Sequence, residues 1–133
     1  MRRTTAILIL MTSLLLACAP AEIVSIRVID GDTVDAGLDA NIRLTLDDGS
    51  GFDTPETFRS GCAAEADLGA QATARLKRLL QDARTTDLDL GGRSCGFGRY
   101  CGALRVDGTN VGETMIREGL AKRSKNYDWC QAG

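Results

Sequence analysis

Apolar and polar residues alternate over 22–29 (EIVSIRVI), which predicts a strand, and Asp30-Gly31 turns the chain into a second strand over 33–36. Residues 41–46 (NIRLTL) predict a third, with Ile42, Leu44 and Leu46 on one face and Asn41, Arg43 and Thr45 on the other. The period then changes. Over 63–83, Leu68, Ala72, Leu76, Leu79, Leu80 and Ala83 recur at helical spacing while Arg75, Lys77 and Arg78 lie off the stripe, the pattern of a core-packing helix. Alternation over 86–90 (TDLDL) and 103–106 predicts two more strands, and Asp107-Gly108 is a two-residue hairpin signal. Residues 111–118 read as a second helix, with Val111, Met115 and Ile116 inward and Gly119 as its stop. The tail over 122–133, with Tyr127, Trp129 and Cys130, is irregular. Five or six short strands with glycine turns, plus two helices, fit a small closed barrel with helices at its side.

Upstream of the first strand, Arg2 and Arg3 precede an apolar stretch over 6–17 that ends in small residues, the form of a bacterial secretory signal. The stretch is too short to span a bilayer, which takes roughly 20 residues. Two cleavage points compete. Leu15-Leu16-Ala17-Cys18 resembles a lipobox, which would leave a lipid anchor on Cys18, whereas Ala19-Pro20-Ala21 would release the chain before Glu22. The expectation is a signal over 1–21, one domain over 22–133, and export to the periplasm, the medium or the envelope. In that setting Cys62, Cys95, Cys101 and Cys130 read as two disulfides with three possible connectivities. A zinc site fits poorly, because the set is scattered. The favoured pairing is Cys95 with Cys101 as a loop clamp and Cys62 with Cys130 as a tie from mid-chain to tail. The longer tie contributes about 4 kcal/mol by chain entropy.

Composition narrows the chemistry. The formal charge is −2, so no basic surplus announces nucleic acid, and aromatics at 5% leave a mostly aliphatic core. There is no histidine, which excludes imidazole bases, His-containing triads and His-ligated zinc. Metal chemistry would therefore be carboxylate chemistry, suited to hard cations such as Ca²⁺.

Asp30-Gly31-Asp32-Thr33 and Asp53-Thr54-Pro55-Glu56-Thr57 place acids on two loops, and Arg43 and Arg99 bracket them, the latter within the Cys95–Cys101 loop (CGFGRYC). Singly, each motif is a turn or a helix start. Together they supply the cation ligands, carboxylate and guanidinium forks that phosphodiester hydrolysis needs. The ordered set Ile29–Val34, Ile42–Leu44, Asp53–Thr57, Gly98–Arg99 and Asp107–Lys122 resembles the staphylococcal nuclease (thermonuclease-like) family over nearly the whole exported segment.

That resemblance implies an α+β fold, mainly β: a small five-stranded OB-fold-like barrel with two to three packed helices. It implies a monomeric Ca²⁺-dependent phosphodiesterase, endonuclease or exonuclease, acting on single-stranded or frayed DNA or RNA. Asp32 and Asp53 would be Ca²⁺ ligands, with Thr54 adding its backbone carbonyl. Glu56 would position or deprotonate the attacking water, and Arg43 and Arg99 would bind the phosphate and its transition state. Asp30 would be a turn residue beside Asp32, and Phe97 stands where the family usually has tyrosine. The spacing from Arg43 to Asp53 is longer than the family's, which marks 46–50 (LDDGS) as an insertion. An outward hairpin there would leave the site intact, whereas the longer spacing could instead move Asp53, Thr54 and Glu56 away from Arg43. The expectation is that Arg43 keeps its direction and the D-T-P-E turn bears any displacement, and Asp47 and Asp48 read as a solvated turn rather than a second cation site. The competing functions are a non-catalytic oligonucleotide-binding module on the same barrel and an envelope lipoprotein with an impaired site.

Overall fold

A computed structural model describes residues 25–131; the signal segment and Cys18 lie outside the described residues. The elements are β1 (Arg27–Val28), β2 (Thr33–Asp35), β3 (Ile42–Thr45), α1 (Ala63–Gln81), β4 (Thr86–Asp89), β5 (Tyr100–Val106), β6 (Thr109–Asn110) and α2 (Val111–Arg117). They form a curled mixed sheet in the order β1-β2-β3-β5-β4, with β6 paired to β5, and two helices, so the α+β reading holds. The sheet is a half-barrel whose ends are β1 and β4.

Strands β1, β2 and β3 run antiparallel, but β3 and β5 are parallel, with Ile42 opposite Tyr100 and Thr45 opposite Ala103. A parallel pair needs a long crossover, and α1 and β4 lie within it. Strand β5 begins at Tyr100, earlier than its side chains suggest, because Gly102 interrupts the apolar pattern. A Cβ at Gly102 would lie 2.8 Å from Ile42 Cγ2, so only glycine lets β3 and β5 pair there. The hairpin at Asp107-Gly108 forms as expected, with φ of 50° and 81°, the left-handed pair that a tight two-residue turn requires.

Val34, Ile42, Leu44, Leu46, Leu76, Leu104, Val111 and Met115 fill the core, with Phe52 as its large aromatic member. In β3 Ile42 and Leu44 are fully buried and Arg43 is half-buried, as the alternation predicts, but Thr45, read with Arg43 on the polar face, is buried as well. Helix α2 is capped by Asn110, whose Oδ1 accepts from Gly112 N at 2.8 Å and whose Nδ2 donates to Thr45 O at 3.0 Å. This side chain ties the end of β3 to the start of α2.

The extra residues after β3 form an outward hairpin. Leu46 N donates to Ser50 O and Gly49 N to Leu46 O, and Gly49 takes φ of 80°. Leu46 itself is a core residue, 1% exposed, so the projecting turn is 47–50 rather than 46–50. Of its two acids, Asp47 pairs with Arg105, and Asp48 accepts from Ser50 N and Oγ. The disulfides join Cys62 to Cys130 and Cys95 to Cys101.

Candidate active site

Asp32 stands at the turn between β1 and β2, held by Asp30, whose Oδ1 accepts from Asp32 N at 3.0 Å. Its carboxylate is buried, 3% exposed. Oδ2 accepts from Thr54 N at 3.1 Å and Thr54 Oγ1 at 3.0 Å, and lies 2.9 Å from Arg43 Nη2. The same Arg43 nitrogen donates to Phe52 O at 3.0 Å and lies 3.4 Å from Asp53 Oδ1. One guanidinium thus bridges two carboxylates that are far apart in sequence. The outward turn at 47–50 is what allows this, since the chain returns through Gly51 opposite Thr45 and delivers Asp53 to the mouth of the sheet.

Two glycines bring the loops this close. A Cβ on Gly31 would fall 2.8 Å from Thr54 Oγ1 and 2.9 Å from Ala72 Cβ. A Cβ on Gly69, in α1, would fall 2.8 Å from the carbonyl oxygens of both Pro55 and Glu56. Helix α1 therefore packs its backbone directly on the D-T-P-E loop, and Glu65 in its first turn accepts from Glu56 N and Gly61 N. Gly69→Ala should lower stability by about 1–3 kcal/mol, the scale of overpacking, even though alanine is the better helix former. Because the loop rather than the helix must yield, activity should fall by more than the loss of folded protein explains. Thermal melts beside specific activity check this; an unchanged melt with unchanged activity would show the packing there to be slack.

Asp53 is held from its other side by the tail. Its Oδ2 accepts from Trp129 Nε1 at 3.2 Å and from Tyr127 N at 3.3 Å, and its backbone bridges Lys122. The sequence pattern assigns this tail no role in the site; the signal that could have found one is Cys130, adjacent to Trp129 and bonded to Cys62 just before α1.

Arg43, Asp53, Glu56 and Arg99 line one open cleft of about 850 Å³. Asp32 and Thr54 lie behind it rather than on its wall. Phe97, at φ of 53°, is 97% exposed, and its ring faces the Arg99 guanidinium, which lies 5.4 Å from the ring centre. Burial pushes the Asp32 carboxyl up to about 7, outweighing the Arg43 charge and the Thr54 hydrogen bonds, with Asp30 adding to the rise. Glu56 is also raised, first by burial and then by the charges of Asp30 and Asp53.

The donor set fits a hard dication. Asp32 and Asp53 offer carboxylate oxygens, the ligand type a hard cation takes, on either side of Arg43 Nη2, so two acids and one cation converge at the same end of the sheet. What fold and site define together is an OB-like α+β domain with the Asp53 and Glu56 carboxylates and the Arg43 and Arg99 guanidinium groups on one cleft wall, and a third, buried carboxylate bridged to Asp53 from behind by Arg43. The sequence matches the staphylococcal nuclease homologue family over residues 48–132, and the chain belongs to that family. Asp32 and Arg43 precede the matched residues; the fold brings them to the matched part. The chain is 32% identical over 106 residues to the SPbeta prophage-derived endonuclease YokF of Bacillus subtilis (strain 168), covering 77% of this chain and 34% of YokF. It is 33% identical over 106 residues to endonuclease YncB of the same organism, covering 77% of this chain and 47% of YncB. The chain thus matches between a third and a half of the length of these relatives.

Proposed function

We propose that this protein is an exported, Ca²⁺-dependent nuclease that hydrolyses phosphodiester bonds of DNA or RNA. The observation that carries the reading is the convergence of Asp32, Arg43 and Asp53 despite the inserted turn, with Arg43 Nη2 lying 2.9 Å and 3.4 Å from the two carboxylates. Relatives named as endonucleases and membership of the nuclease family support it. The disulfides are in keeping with an oxidising compartment, and an anchor at Cys18 remains part of the proposal.

Asp32, Asp53 and the Thr54 carbonyl would hold Ca²⁺, which supplies Lewis acidity toward a phosphoryl oxygen. Glu56, on the cleft wall, accepts the proton of the attacking water; its raised pKa makes it a better base than an ordinary glutamate. Arg43 and Arg99 donate N–H groups to the non-bridging oxygens as charge builds there, the contribution that preorganised donors make in a partly dry site. The position of Arg99 is fixed by the Cys95–Cys101 bond, which closes its loop, and by Arg99 N donating to Gly96 O. The deciding experiment incubates the exported form with single-stranded DNA and RNA, adding Ca²⁺ and then EDTA. Cleavage that needs Ca²⁺ and stops with EDTA is expected. Binding without cleavage would favour the oligonucleotide-binding module, and neither would favour the envelope lipoprotein.

Asp32 and Glu56 also give a pH signature. Asp32 is raised to about 7, so between the ordinary carboxylate range and that value the folded chain keeps a proton that the unfolded chain has released, and the raised Glu56 acts in the same direction. The stability these groups contribute therefore falls as pH rises through that window in the absence of metal. Ca²⁺ takes the ionised form, so its stabilising effect should be larger near about pH 8 than near about pH 5. Calorimetric melts with and without Ca²⁺ at both values check this, and an equal gain at both would remove Asp32 from the ligand set.

A further inference from the structure

Ion pairs neutralise cations over much of the fold. Arg27 pairs with Asp35, Arg75 with Glu118, Arg105 with Asp47 and Asp87, and Arg123 with Glu113. Other cations, Lys77, Arg78, Arg84, Arg117 and Lys122 among the described residues, also lack a carboxylate partner, but they do not line the cleft. Among the described residues Arg59, Arg93, Arg99 and Lys125, all on its wall, have no carboxylate oxygen within 4.0 Å. Four unpaired cations thus share one wall with only two acids, Asp53 and Glu56, on a chain of net charge −2.

Two of these side chains are seated by the extra turn after β3. A Cβ on Gly49 would overlap the Arg93 guanidinium, so that group lies against the bare backbone of the turn. On the other limb, a Cβ on Gly51 would meet Lys125 Cγ at 3.7 Å and Cε at 3.9 Å, which lays the lysine stem along the chain as it returns to Asp53. The turn thus holds a cation on each limb beside the site, while Arg43 and Arg99 face the reacting position. The cleft, at about 850 Å³, is larger than one phosphodiester requires.

We propose that Arg93 and Lys125, seated on the turn over 47–51, form a second phosphate subsite that grips the nucleic-acid backbone beside the scissile bond. The inserted residues then serve substrate binding and are not merely a tolerated extension. This rests on the nuclease reading and adds to it a requirement for a strand longer than two nucleotides. For a single strand, removing one cation that neutralises a phosphate should lower the dependence of log K on log salt by about 0.7.

The test compares the unsubstituted chain, the pair Arg93→Ala with Lys125→Ala, and a control pair, Arg78→Ala with Arg84→Ala, which removes the same charge outside the cleft. Binding of a fluorescent single-stranded oligonucleotide of about eight residues is measured in EDTA across a salt series, and cleavage in Ca²⁺ is measured separately. The cleft pair should weaken binding about tenfold and reduce the salt slope by about 1.4, with the control pair well below both. In the cleavage arm, the kcat/KM penalty should grow with strand length, reaching about tenfold on the longer strand and at most about threefold on a dinucleotide. Equal effects of the two pairs, or an equal penalty on both substrates, would overturn the subsite. The two arms also separate the readings: no cleavage by the unsubstituted chain, with the slope change intact, overturns the nuclease reading alone. Normal cleavage with an unchanged slope overturns the subsite alone.

Discussion

Arg43→Ala should reduce kcat/KM on single-stranded DNA by about 100- to 1,000-fold, the range for losing a preorganised donor to developing charge. The loss has two sources. One is the missing donor to the phosphate. The other is electrostatic: without the guanidinium, Asp32 and Asp53 face each other uncompensated, and Asp32 Oδ2 keeps only its Thr54 donors. Removing one partner of a buried ion pair costs about 3–5 kcal/mol when the remaining charge stays ionised. Asp32 has an escape, because its carboxyl is already raised to about 7 and would rise further to take a proton. The destabilisation of the Ca²⁺-free variant should therefore be larger near about pH 8, where Asp32 must stay charged or take up a proton at a free-energy cost, than near about pH 5. Arg43→Lys should recover stability better than activity, since one ammonium can offset the carboxylates but cannot reproduce a fork that reaches Phe52 O, Asp32 and Asp53 together. Denaturant titrations at both pH values and steady-state rates check these expectations. A stability loss independent of pH would show that Asp32 is not the group left behind.

The direction of Arg43 was legible because Ile42, Leu44 and Leu46 alternate with it: burying those three leaves Arg43 only the polar face. The same alternation places Leu46 in the core, which is why the projecting turn starts one residue later than spacing alone suggests. Helix α1 and the Asp107-Gly108 hairpin were legible for the same reason, each carrying a strong local period or turn signal. The start of β5 was not, since Gly102 has no side chain to contribute to a pattern and its role appears only when Ile42 is beside it. The close approach of Gly31 and Gly69 to the D-T-P-E loop was hidden likewise. Longest in reach, and least visible, is the hydrogen bond from Trp129 to Asp53, because no periodicity links residues 76 apart in sequence.

Opening the Cys62–Cys130 bond should produce the other large effect, through that hydrogen bond. The disulfide spans a sequence separation of 68, so by chain entropy its removal costs about 4 kcal/mol. On a domain of this size that lowers the melting temperature by roughly 15 °C or more. Function should decline even at temperatures where the variant stays folded. The disulfide anchors the tail beside α1, and the tail supplies Trp129 Nε1 and Tyr127 N to Asp53 Oδ2; untied, these donors leave and Asp53 is held only through Arg43 and the backbone bridge to Lys122. Trp129 is the single tryptophan and is 5% exposed, so its fluorescence reports on this part of the tail alone. In the double variant Cys62→Ser, Cys130→Ser, still folded at low temperature, emission should shift to the red and the Ca²⁺ concentration for half-maximal activity should rise. Trp129→Phe separates the two causes, since it keeps the disulfide and an aromatic ring but removes the indole N–H. It should keep most of the melting temperature while reproducing the weaker Ca²⁺ response, a loss of one hydrogen bond to a charged group worth about 1.5–3 kcal/mol at most. A Trp129→Phe protein with an unaltered Ca²⁺ response would assign the tail to stability and leave Asp53 positioned by Arg43.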